Sequence, residues 1–321
     1  MIRGRMARAR PGSSVVVDYQ SLPTEAVNPR SELLDTLPAE EVVKLMLEEE
    51  SNAVKAVRAR ADEIAAAARL VADRLAGGGR VVYVGAGTSG RLGTLDAAEC
   101  VPTFGIPPSL VVAIIAGGPH ALTHAVEGAE DNAREAEQRL RRVAVGPKDV
   151  VLCIVASGVT LFSRSALEYA HFRRAATVFV TCSRIELPPG AEPLADVVIE
   201  LATGPEVIAG STRLKAGTAT KVTLNAISTT AFVLLGKTYG GLMVDVRPTN
   251  TKLWARAVRI VTRLAGIDDG EALKLIKKAG GRAKVALVMH HARVNAARAK
   301  ELLIEHKGSL RAIVGDLDVK E

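Results

Sequence analysis

The chain has 321 residues, 48% of them apolar, only ten aromatic side chains and a formal charge of +7. Its length exceeds one ordinary domain, and its core must come mainly from Ala, Val, Leu and Ile, a composition suited to helices packed on a buried parallel sheet. No apolar run reaches the roughly 18 residues of a membrane helix, and the charge falls to +3 once the four arginines of the first ten residues are set aside, so neither a membrane nor a nucleic acid is predicted as a partner.

Residues 1–23 mix Arg, Ser, Gly and Pro without sustained periodicity and read as a flexible tail, or as translation from a start codon upstream of Met6. They lack the apolar stretch of a signal peptide. Together with three cysteines, Cys100, Cys153 and Cys182, that have neither metal-ligand spacing nor the density of a secreted scaffold, this predicts a reducing cytoplasm. A helical pattern opens at Thr36 and Pro38 with Glu40 and Glu41 in its first turn, continues over 42–46 and 54–75, and stops at Gly77-Gly78-Gly79. Strand–loop–helix units follow, with five strands predicted over 81–84, 110–115, 150–155, 177–181 and 197–201. A long buried helix is predicted over 212–235. Beyond Asn250 the pattern is wholly helical, a smaller appendage with breaks near 266–270 and at Gly280-Gly281. Its stretch 266–312 holds ten Lys or Arg against five acids; without a recognition-helix signature this reads as the solvated face of a helical cap.

The first predicted strand leads into Gly85-Ala86-Gly87-Thr88-Ser89-Gly90, a turn that opens a helix. Free backbone N–H groups and the positive helix end favour an anion there. The spacing also fits the dinucleotide fingerprint G-x-G-x-x-G. A nicotinamide or flavin site, however, needs an acid at the end of the second strand, which here runs Ile114-Ile115-Ala116-Gly117-Gly118. The hydroxyls of Thr88 and Ser89 suit a phosphate monoester instead. A second unit echoes the first, strand 150–155 followed by Ala156-Ser157-Gly158-Val159-Thr160; Ser157 and Thr160 either cap the next helix or join the first loop around one phosphate. In a third entry, from Gly204 to Thr218, Ser211 or Thr212 is the expected N-cap. Arg213 and Lys215 oppose the helix dipole unless Glu206 or an anionic ligand stands near.

Glu99 falls about three turns into the first helix or just beyond it. Glu127 and Glu130 are expected to share a helix face, which alone reads as solvated surface. Removing a proton beside a carbonyl needs a base and expelling an alkoxide needs an acid, roles that two glutamates with separated pKa values fill. His120 and His124 lack the companion Glu of a zinc-protease helix, so no metal site is read, and the cysteines are assigned buried apolar roles.

Taken together these residues resemble the N-acetylmuramic acid 6-phosphate etherases of the sugar isomerase (SIS) domain superfamily. The likeness spans residues 24–314, and its most specific stretches are Thr24-Glu25 with Asn28-Pro29, Gly85 to Cys100, Glu127 to Asp131, Gly210 to Lys221, and Leu242 to Val246 with Thr249-Asn250. The resemblance implies a three-layer αβα domain with a five-stranded parallel sheet of the flavodoxin-like kind over 24–250, and a helical domain over 251–321. It implies a cofactor-free lyase that eliminates the D-lactyl ether across C2 and C3 and then adds water, giving N-acetylglucosamine 6-phosphate and D-lactate in amino sugar recycling. Glu99 then falls on the acid that protonates the departing lactate and Glu130 on the second acid/base. Ser89, Ser157 and Thr160, with Thr88, Gly90 and Gly158 in their loops, fall on the phosphate site. The family's homodimers place sites near the subunit interface, where Glu206, Ser211 and Lys215 are expected to complete a neighbour's pocket.

The chain departs from the family's Ala-Ser-Gly-Arg-Thr-Pro at Val159 and Leu161, and from its Cys-Pro-Pro-Thr at Val101. Val159 removes a cation near the phosphate loop. The alternatives are a non-catalytic sugar-phosphate sensor resembling the glucokinase regulatory protein, which the pairing of Glu99 with Glu130 disfavours, and a sugar-phosphate isomerase of the same superfamily.

Overall fold

The computed structural model describes residues 22–184 and 193–317; all but the last two residues of the expected tail lie outside that description. The first helical pattern forms two helices, α1 (Ala39–Arg58) and α2 (Ala61–Ala76). No Gly or Pro marks the break between them. It is fixed from elsewhere in the fold: the Arg60 guanidinium donates to the Glu200 carbonyl at 2.9 Å.

The chain then builds β1 (Val81–Gly85), α3 (Gly87–Phe104), β2 (Val111–Ile115), α4 (Ala133–Arg142), β3 (Val150–Val155), α5 (Leu161–Phe172), β4 (Ala176–Thr181) and β5 (Val197–Glu200). Every strand begins and ends within one residue of its predicted limit. All pairings are parallel, in the order β2-β1-β3-β4-β5. Both faces of the sheet are covered, so β3 and β4 are buried at every position, which is why their sequences are continuous apolar runs without polar alternation. Val81 and Tyr83 face a layer that includes α2 and α3, whereas Val82 and Val84 face α4 and α5.

The long helix α6 (Lys215–Leu234) packs in the first of these layers. It begins three residues after the predicted start because neither Ser211 nor Thr212 caps it. The Glu206 carboxylate, nine residues upstream of Lys215, accepts from the Lys215 amide at 3.1 Å and the Ala216 amide at 2.9 Å, satisfying two of the free donors of the first turn. A second difference falls on Glu127 and Glu130. The expected helix face is absent: two 3-10 turns, Pro119–Leu122 and Ala129–Asp131, are separated by a coil and by Gly128 at φ +68°, and α4 starts only after Asn132, whose side chain accepts from the Glu135 amide.

The remaining helices, α7 (Thr251–Ala265), α8 (Asp269–Lys278), α9 (Ala283–Ala292), α10 (Ala296–Glu305) and α11 (Leu310–Val314), pack around their own apolar core, which also takes in Tyr239, Val244 and Val246. Asp245 pins this part beside α6, with the Lys237 ammonium at 2.8 Å and that of Lys284 at 3.6 Å. No described helix is long and apolar enough to cross a membrane.

Candidate functional site

The chain passes from β1 to its neighbour β2 and then crosses to β3 on the other side of β1. Helices α3 and α5, which leave β1 and β3, therefore run to opposite faces of the sheet, and a crevice opens between their N-terminal ends, where open parallel sheets bind ligands. A cavity of about 310 Å³ occupies this crevice. Its walls are residues 86–89 of the first loop, residues 154–157 with Val159 and Thr160 of the second, Glu130 and Asp131 of the 3-10 turn, Gly210 and Thr212, and Leu22 and Glu25.

Close packing explains the glycines. A Cβ at Gly90 would stand 2.6 Å from both the Gly85 carbonyl oxygen and Ile115 Cγ1, so only glycine lets α3 start this near the sheet. Gly158 holds φ +79°, the left-handed conformation that turns the second loop. Neither α3 nor α5 has a side-chain cap at its N-terminus. Amide donors and two positive helix ends thus meet at one cavity, an arrangement suited to an anion of phosphate size.

Of the residues singled out in the sequence, Thr88, Ser89, Ser157, Thr160 and Glu130 share this cavity. Thr160 occupies the N-cap position of α5 without making a capping bond, and among the described residues Ser157 Oγ accepts just one long contact, 3.4 Å, from the Val159 amide. Gly90 and Gly158 are buried and shape the loops from behind. Glu99 is not at the cavity: it is exposed on α3, twelve residues from the helix start and hence about 18 Å along its axis.

Ser211, Glu206 and Lys215 also stand off the cavity lining. Lys215 is buried, its ammonium 2.6 Å from Glu49 Oε2 and 2.5 Å from the Pro205 carbonyl. Asn28 joins the same centre through Glu49 Oε2 at 2.9 Å and the Pro205 carbonyl at 3.2 Å. Burial alone would push the Glu49 carboxyl up, but bonds from Lys215, Asn28 and Arg30 outweigh it and hold that pKa low. For Glu206 burial prevails over its two amide bonds, and the pKa is raised.

Sequence reasoning missed several groups. Glu25, Asp131 and Thr212 line the cavity, and Glu25 is brought there because the Gly210 amide donates to the Thr24 carbonyl at 2.8 Å. Asp96, a buried carboxylate, accepts from Tyr83 at 2.8 Å, Asn225 at 2.7 Å and Ser228 at 3.1 Å, locking α3 to β1 and α6. Thr24-Glu25 stood in the family motif and was the available signal; for Asp96 there was none beyond an acid on an apolar helix face. The cysteines are buried as expected, and burial pushes the Cys100 and Cys182 thiols up to about 12, which removes them as nucleophiles near neutral pH.

Residues 63–170 match the family model described as the glucokinase regulatory protein N-terminal SIS domain. The N-acetylmuramic acid 6-phosphate etherase of Rhodopirellula baltica is 43% identical over 295 residues, covering 91% of this chain and 96% of its own. That of Gloeobacter violaceus is 51% identical over 270 residues, covering 84% and 87%. Among solved structures, a phosphoheptose isomerase from Francisella tularensis matches with a TM-score of 0.43 at 15% identity, over 61% of this chain and 98% of that one.

Proposed function

The chain belongs to the N-acetylmuramic acid 6-phosphate etherase family, and from that premise we propose how its crevice works. The enzyme is a carbon–oxygen lyase that acts on N-acetylmuramic acid 6-phosphate. The sugar phosphate is held at the paired ends of α3 and α5 by Thr88, Ser89, Ser157 and Thr160, with Gly90 and Gly158 setting the loops. In the open-chain aldehyde, C2 lies beside the carbonyl. Glu130 takes the C2 proton, the C3–O bond breaks, and Glu99 protonates the departing D-lactate. Water then adds at C3 while a proton returns to C2, giving N-acetylglucosamine 6-phosphate. Atoms and charge balance without a cofactor.

One observation carries this reading: Glu130 stands in the same cavity as the hydroxyls of both loops. The distance of Glu99 from that cavity supports a homodimer in which each subunit lends its Glu99 to the other. Val43, Leu47 and Val54 leave 55%, 68% and 46% of their surface exposed along one face of α1, and Leu95, one turn before Glu99, leaves 49%. Apolar surface of this kind favours a second copy. Glu206, Ser211 and Lys215 fit this scheme as supports of the 204–215 loop whose Gly210 and Thr212 form a cavity wall. Residues 24–250 then form the substrate-binding domain and 251–321 the helical one, and three unpaired cysteines favour the cytoplasm.

Release of D-lactate from N-acetylmuramic acid 6-phosphate, followed by a coupled lactate assay, tests the reaction. Glu130→Gln is expected to lower kcat at least 100-fold while leaving affinity for N-acetylglucosamine 6-phosphate within about tenfold. The match of residues 63–170 to a regulatory protein's domain favours one other reading, a sensor. Tight binding with no lactate released at any enzyme concentration would establish that sensor and refute the lyase.

A further inference from the structure

A second, smaller cavity of about 220 Å³ adjoins the phosphate crevice and shares Ala86, Gly87 and Glu130 with it. Most of its other walls are small and apolar, Ala121, Ala125 and Val126 among them, but one wall is Arg91. Arg91 lies one turn into α3 and spends two N–H groups on the 119–124 segment: Nε donates to the Leu122 carbonyl at 3.1 Å and Nη2 to that of His124 at 3.0 Å. A guanidinium has five such donors. The rest have no acceptor among the described residues, and Arg91 forms no ion pair there, although Glu127 lines the same cavity.

We infer that Arg91 receives the carboxylate of the lactyl ether, in a subsite distinct from the phosphate crevice; this rests on the etherase reading above. The substrate carries two anions of different shape. The tetrahedral phosphate suits converging amides and hydroxyls, whereas a planar carboxylate suits the fixed fork of a guanidinium. The branched methyl of the lactyl group meets the alanine and valine methyls beside Arg91. Glu130 belongs to both walls, so a ligand spanning the two cavities presents the carbons between its anions to that carboxylate. A sugar phosphate without the lactyl arm leaves the Arg91 cavity unfilled, which makes Arg91 the residue that separates substrate from product and from simpler sugar phosphates.

The experiment compares N-acetylmuramic acid 6-phosphate with its lactamide, in which the carboxylate is replaced by a neutral carboxamide, on the full-length wild type and on Arg91→Gln and Arg91→Lys. Gln retains a donor for the backbone carbonyls without charge, and Lys retains charge without the fork. The wild type is expected to favour the acid about 10- to 100-fold in kcat/KM. R91Q should lose that preference, R91K should keep part of it, and all three should bind N-acetylglucosamine 6-phosphate within about threefold of one another. An R91Q variant that still prefers the acid, or that loses affinity for N-acetylglucosamine 6-phosphate as much as for the acid, overturns the inference. D-lactate release by the wild type reads the etherase assignment separately. Were there none, dissociation constants for the acid and the lactamide would still decide, equal binding to the wild type refuting the subsite.

Discussion

Lys215 is almost sealed from solvent, with 2% of its surface exposed, and its charge is answered inside the chain by Glu49. Replacing one member of such a pair strands the other, so Lys215→Met is expected to lower unfolding free energy by about 3 to 5 kcal/mol at pH 7, read by urea denaturation. The pH dependence follows from the Glu49 carboxyl, whose pKa in the fold is depressed. A depressed acid stabilises the fold above its ordinary pKa of about 4.3, and that stability is lost as pH falls through the depressed value. The difference between wild type and variant should therefore be widest near neutrality and shrink below about pH 4. Glu206 runs the other way: its raised pKa means that its share of stability is present at low pH and fades as pH rises through the raised value. A variant with unchanged stability and only a higher KM would instead place Lys215 on the substrate. At this scale the sequence showed hydroxyls and glutamates by type and loop, but the partner of Lys215 lies 166 positions away, beyond any local signal.

The glycine-rich entry to α3 makes a prediction at the scale of the element. An alanine at Gly90 would press on the Gly85 carbonyl and on Ile115, and because the contacts are backbone and a β-branched core side chain, the helix itself must move. Gly90→Ala is expected to cost about 1 to 3 kcal/mol of stability and to weaken sugar-phosphate binding by more than it weakens folding of the sheet, measured by calorimetry beside thermal unfolding. Normal affinity would show that the helix start does not hold the phosphate. Strands were legible because continuous apolar runs bounded by turns are what a sheet buried on both faces requires. The helix face expected for Glu127 and Glu130 does not form: two carboxylates three residues apart fit a helix by spacing, but the positive φ of Gly128 overrides that spacing. The α1–α2 break carried no punctuation, since the contact that fixes it comes from the end of β5.

For the whole molecule, the separation of Glu99 from Glu130 is the decisive feature. If each site combines Glu130 of one subunit with Glu99 of the other, unfolding and refolding a mixture of Glu99→Gln and Glu130→Gln chains regenerates wild-type sites. Equal amounts give half heterodimers, each with one intact site of two, so about a quarter of wild-type lactate release should return. No recovery above the separate variants, with heterodimers confirmed by native mass spectrometry, would place both acids in one subunit.

Chain order, strand limits, the glycine-rich loops that open α3 and α5 and the family motifs are properties of contiguous residues, and periodicity, glycine spacing and helix-end chemistry make them readable from the sequence. The crevice itself was decided only by tertiary structure, through the crossover that sets β1 beside β3, the burial that turned Lys215 and Glu206 inward, and the backbone contact that drew Glu25 into the cavity. The reason is that a local pattern dictates which dihedrals a segment favours. Which distant charge satisfies a buried one, and which loops meet above a sheet, depends on packing the whole chain around a shared apolar core.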